Sequence, residues 1–103
     1  MDKAKKLSIE KALCEYLAKN FRGANNPVSS KTIESAFSIT GRTVRDIINS
    51  LRSSGEPICS NYDGYFYADN PMEISATVAQ LSSRIQKIAQ ARDGLLNRNE
   101  TES

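Results

Sequence analysis

The stretch Ser30-Lys31-Thr32-Ile33-Glu34-Ser35-Ala36-Phe37-Ser38-Ile39-Thr40-Gly41-Arg42-Thr43-Val44-Arg45-Asp46-Ile47-Ile48-Asn49-Ser50-Leu51-Arg52 decides how this chain folds. Ile33, Ala36 and Phe37 recur at helical spacing over about two turns, and Ser29 or Ser30 stands where an N-cap is wanted. Ser38-Ile39-Thr40 then interrupts the pattern: Ile39 is an apolar plug between two helices, and Thr40 is well placed to cap a second one. In that second helix Val44, Ile47, Ile48 and Leu51 make one apolar side, while Arg42, Thr43, Arg45, Asn49 and Arg52 take the other. Gly55 is its left-handed stop and Pro57 lies just beyond. Ser38, standing in the tight connection, must accept whatever backbone strain the turn imposes.

Downstream, the period shifts from helical toward alternation. Asp63-Gly64 between β-forming residues predicts a hairpin over Pro57 to Ala68. Alternation sends Tyr65 and Tyr67 to one face and Phe66 to the other, leaving Tyr62 at the tip. Upstream, Ile9, Leu13, Tyr16, Leu17 and Phe21, with Ala12 beside them, predict an amphipathic helix from about Ser8 to Asn20. Gly23 to Pro27 ends it, and Val28 supplies a single short strand before the next helix.

The C-terminal third carries a second pattern. Asn70 offers a cap, Pro71 suits the first helical position and Glu73 completes a spacing like that of a capping box. Ile74, Val78, Leu81, Ile85, Ile88, Arg92 and Leu95 follow at alternating intervals of four and three, a heptad seam broken only at Arg92. The regular helix is expected to reach about Arg92 or Asp93, with Gly94 marking its end, inside a helical segment bounded at residue 96. Such a helix is about 35 Å long at 1.5 Å per residue, more than a small domain covers, so the seam implies a homodimer. Residues 97–103 are polar, lack apolar periodicity and are expected to be disordered.

Composition bounds the possibilities. Of the 103 residues, 39% are apolar and 25% charged, which fits one soluble domain with an appendage. No apolar run approaches the roughly 20 residues of a membrane span, and the charged Met-Asp-Lys-Ala-Lys-Lys start leads into no apolar segment, so a cytoplasmic location is expected. Cys14 and Cys59 are expected to be reduced. The net charge of +2 is small, so its placement matters more than its size. Positive charge collects before residue 23, with Lys3, Lys5 and Lys6 as a frayed end or an arm, and on the second helix of the opening stretch. The hairpin, by contrast, holds Asp63, with Asp69 just beyond it, and no cation. The chain lacks histidine, a phosphate-cradling glycine loop and a paired-carboxylate motif, so neither an enzyme nor a metal or cofactor site is expected.

Over about Ile9 to Asp69 the chain resembles winged helix-turn-helix domains of the biotin-repressor N-terminal type, found in many small bacterial and phage regulators. The likeness rests on the quoted stretch, on Leu51-Arg52 closing the second helix, on Gly55-Glu56-Pro57-Ile58, and on Gly64-Tyr65. It implies an α+β, mostly α fold with a winged helix-turn-helix domain over residues 1–70, to which the heptad seam adds a long C-terminal dimerisation helix over 71–96. It also implies sequence-specific binding of double-stranded DNA by a small transcriptional regulator, with a recognition helix over about 41–54. Arg42, Thr43 and Arg45 would read bases, and Ser38, Thr40, Asn49 and Arg52 would contact phosphates or flanking groups. Ile74, Val78, Leu81, Ile85, Ile88 and Leu95 would join two copies. The alternative is an adaptor or inhibitor that uses the same scaffold to bind a protein, since winged folds are also reused in that way.

Overall fold

The computed structural model describes residues 2–101, with side chains through residue 98. The fold is α+β and mostly helical: α1 (Lys3–Asn20), α2 (Ser30–Phe37), α3 (Gly41–Ser53), β1 (Ile58–Asn61), β2 (Gly64–Tyr67) and α4 (Pro71–Thr101). Leu13 and Leu17 of α1, Ile33 of α2, and Val44, Ile47, Ile48 and Leu51 of α3 meet Val28 and Ile58 in one buried core. Tyr16 fastens its edge, with ring centroids 5.1 Å from Phe21 and 5.3 Å from Phe37. Ala36, read as part of the apolar pattern of α2, and Ala12, beside that of α1, are exposed. Each lies about 100° around its helix from an inward-facing neighbour, Leu13 or Phe37, and a methyl group is too short to reach in from the flank.

The helix ends follow from single side chains. Asp2 caps α1 by accepting from the Lys5 N–H at 2.8 Å, so Lys3, Lys5 and Lys6 belong to the first helical turn rather than to a frayed arm. Ser29 caps α2 and Thr40 caps α3, each accepting an N–H at 3.2 Å. Between them Ser38 adopts φ 52°, ψ 49°, the left-handed conformation. Beyond α3, Gly55 takes φ 94°.

β1 and β2 pair antiparallel with Asn61 opposite Gly64, so the two central turn residues are Tyr62 and Asp63 rather than the Asp63-Gly64 pair. Asn61 Oδ1 accepts from the N–H groups of Asp63 and Gly64, while Nδ2 donates to the Ala24 carbonyl at 3.0 Å. Asn at the first position and Gly at the fourth is the residue pattern of a type I turn. The other edge of β2 is covered by the chain leaving α1: Tyr67 N–H donates to Phe21 O at 2.7 Å, and Val28 and Tyr65 exchange a pair of bonds at 2.8 and 2.9 Å. Gly64 has φ 148° and lies so close to the Val28 carbonyl that a Cβ would collide with it. Tyr65 and Tyr67 pack on the main core, and Phe66 joins Cys59 and Ala68 in a second small cluster.

α4 starts as a capped helix and then leaves the body of the protein. Asn70 Oδ1 accepts from the Glu73 N–H at 3.0 Å. The Glu73 carboxylate accepts from the N–H groups of Asp69 and Ala24, both at 2.7 Å, so one side chain binds the helix start to the loop after α1. Thr77 is buried and its hydroxyl accepts from the Ser60 N–H at 3.3 Å. The helix does not end at Gly94. It continues to Thr101, through residues 97–101 of the segment expected to be disordered; residues 102–103 lie outside the described residues. Glycine costs a helix about 1 kcal/mol relative to alanine, which weakens the helix without forbidding it, and nothing lies within 4 Å of where a Gly94 Cβ would stand. Its 31 residues make α4 about 46 Å long. Among the described residues no helix is long and apolar enough to cross a membrane.

Candidate nucleic-acid interface

The exposed side of α3 follows from what its other side must do. With Val44, Ile47, Ile48 and Leu51 buried, helical geometry turns Arg42, Arg45 and Asn49 outward on a stripe spaced three and four residues apart. All three are exposed. Neither arginine is in an ion pair with a described residue, unlike Arg22 with Asp69 and Arg92 with Asp93. Asp46 is the one acid of α3, also exposed. This stripe is a cationic surface with its donors uncommitted.

The remaining expected contacts are held by the fold itself. The Thr40 hydroxyl is the α3 cap and lies 3.0 Å from the Thr43 hydroxyl, so these two groups chiefly satisfy each other and the helix end. Ser38 is exposed, and its backbone N–H donates to Glu34 O as the α2 terminus. Arg52 departs furthest from expectation. Its Nε donates to the Ile58 carbonyl at 2.7 Å and an Nη donates to the Ser60 hydroxyl at 3.1 Å, so the guanidinium joins α3 to β1 instead of projecting from the outer face. The cause is position: Arg52 falls in the last turn of α3, where the chain doubles back into β1 and presents an unpaired strand carbonyl within reach.

At the hairpin tip Tyr62 has 103% of its reference exposure, next to exposed Asp63. A second small network links Tyr67 of β2, Glu56, Arg22 and Cys14 of α1. Tyr67 donates to Glu56 at 3.2 Å, and the Arg22 guanidinium sits 5.2 Å over the Tyr67 ring. Burial, and then the facing Glu56 carboxylate, push the Cys14 thiol up to about 11, so it is protonated and unreactive near neutrality. Both cysteines are free.

The expected dimer seam lies along α4. Ile74, Val78, Ile85, Ile88 and Leu95 are exposed, as is Leu96, and Leu81 is half-buried. Ile74, Val78 and Leu81 border an apolar groove against Pro57, Ile58 and the end of α3, whereas the seam beyond Leu81 runs along the part of α4 that projects from the core. Sequence reasoning missed two features, the Glu73 carboxylate bridging to Ala24 and the Arg52–Ser60 link. The first joins residues 49 apart and the second crosses from a helix to the next strand, so no local periodicity announces either. Set against protein-family models, curated proteins and solved structures, the chain matches none.

Proposed function

We propose that this chain is a winged helix-turn-helix protein, a small transcriptional regulator of bacterial or phage type, that binds double-stranded DNA through α3 as a dimer joined along α4. The observation that carries the reading is the pair Arg42 and Arg45, exposed, free of ion pairs and set with Asn49 on one stripe of a helix whose opposite side is fully packed. A helix of that kind is dimensioned for a major groove, where arginine reads guanine with two donors. The hairpin contributes shape more than charge, because Asp63 and the absence of Lys or Arg between residues 57 and 70 make its approach to a phosphate repulsive. Two copies joined along α4 would present two recognition helices to half-sites about 34 Å apart.

An adaptor that binds another protein is the competing reading, favoured by the acidic hairpin with its bare Tyr62. Duplex selection from a random pool, followed by anisotropy over a salt series, separates the two. The DNA reading expects a selected sequence, affinity falling with salt, and a loss of about 1–3 kcal/mol when Arg42 or Arg45 becomes Ala. A doubly substituted protein that holds its best duplex as tightly as the parent eliminates α3 as the reader.

A further inference from the structure

A second basic feature lies away from the α3 stripe. A groove of about 410 Å³ runs between the start of α2, the β1–β2 turn and one side of α4. Its two cations come from distant parts of the chain, Arg52 at the end of α3 and Arg84 on α4. Their convergence has a structural cause. Thr77 is pinned to β1 by the Ser60 N–H, and Gln80 and Arg84 lie three and seven residues further along the same face of α4, so both are carried over the β1 edge.

The two guanidinium groups differ in freedom. Arg52 is half-buried, and its bonds to Ile58 and Ser60 fix the plane of the group while leaving N–H donors on its outer side. Arg84 is exposed and has no carboxylate at ion-pair distance among the described residues. Burial lowers the Arg52 pKa most; Tyr65 and Cys59 oppose that, and the Arg84 charge adds to the lowering. Two like charges on one groove, neither of them in an ion pair with a described residue, repel each other, and a bound anion relieves the repulsion. Gln80 adds an amide donor to the wall, and Asp63 is its one acid.

We propose that Arg52 and Arg84 form a phosphate-binding site, with Arg52 as the fixed planar donor and Arg84 closing over the anion from α4. Planar guanidinium groups match the oxygens of a phosphate in pairs, which favours this ligand over a spherical anion. The phosphate can belong to a DNA backbone or to a free phosphorylated small molecule. The site does not depend on base reading by α3.

The test is a titration of the full chain with inorganic phosphate at constant ionic strength, followed by ¹H–¹⁵N spectra that include arginine side chains. Saturable shifts are expected at the Arg52 and Arg84 Nε–H groups and the Ser60 amide. Arg84→Gln is expected to weaken binding about tenfold or more, the loss of one charge-assisted donor pair. Arg92→Gln, whose parent side chain is already paired with Asp93, should change nothing, and Asp63→Asn should tighten binding. Shifts that never saturate, that follow Arg42 and Arg45 equally, or that survive Arg84→Gln overturn the site. The source of the phosphate comes from a second arm using the selected duplex. A parallel loss of duplex affinity in Arg84→Gln assigns the phosphate to DNA, and unchanged duplex affinity assigns it to a free ligand. Failure of the phosphate titration leaves the α3 reading intact, because that reading stands or falls on Arg42 and Arg45.

Discussion

Two helices of this protein carry apolar residues at the same three-and-four spacing and have opposite fates. In α3, Val44, Ile47, Ile48 and Leu51 are buried against α1, α2 and β1. In α4 beyond Leu81, Ile85, Ile88 and Leu95 stand in the open, each more than 60% exposed. Periodicity therefore reports that a face is to be covered and says nothing about what covers it. For α3 the covering surface is in the same chain. For α4 we propose that it is a second copy, since its 31 residues outrun the one domain available to pack against.

Identical substitutions in the two helices give the sharpest test. Ile47 has no exposure, so Ile47→Asp buries a carboxylate without a partner and is expected to cost about 4 kcal/mol or more, enough to unfold a domain of this size. Circular dichroism and thermal melting read this directly. Ile85→Asp, at a position 68% exposed in the single chain, is expected to keep the fold and abolish the dimer. Sedimentation equilibrium should then find a monomer with native helicity. A parent that is monomeric at tens of micromolar, or a mutant that remains dimeric, breaks the comparison by returning α4 to the bland role of a solvent-exposed helix.

Glycines sharpen the same contrast at smaller amplitude. Gly64 combines positive φ with backbone on the spot where a Cβ would go, so Gly64→Ala is expected to destabilise the fold by about 2–4 kcal/mol in urea unfolding. Gly94 is helical with open space around it, and Gly94→Ala is expected to stabilise the local helix by about 0.8–1 kcal/mol. Amide exchange in the last turns of α4 should slow about fivefold, while global stability stays the same. A uniform change across the chain would mean that distal α4 is coupled to the core.

The junction between the regions supplies a test by pH. The Asp69 N–H first, and then the Ala24 N–H, hold the Glu73 carboxyl below its ordinary value of 4.5. Its contribution to stability is therefore present above that ordinary value and is lost as pH falls through the lowered folded-state value. Melting temperatures of the parent and Glu73→Gln are expected to differ at neutral pH and to converge in acid, a small effect because the group is on the surface. Cys14 works in the opposite direction: its raised value means that its contribution is complete below the thiol's ordinary 9.0 and is lost as pH rises toward about 11. Cys14→Ser should flatten the alkaline side of the stability curve.

Local chemistry in the sequence determined most of the elements of this protein. The caps at Ser29, Thr40 and Asn70, the left-handed stop at Gly55, the buried side of α3 and the hairpin after Pro57 all follow from residues within a few positions of one another, because capping, turn formation and helical periodicity are short-range interactions. Tertiary structure decided the rest. Arg52 looked like an outward cation until the return of β1 placed the Ile58 carbonyl against it, and Glu73 looked like a cap until the loop after α1 brought the Ala24 N–H to its second oxygen. Arg84 meets Arg52 only because Thr77 is pinned to Ser60. The turn centre moved to Tyr62-Asp63 because the strand register and Asn61, bonded across to Ala24, set it. In each case the deciding partner lies on a different element or loop, and a polar group's role is fixed by whichever unsatisfied donor or acceptor the folded chain places beside it.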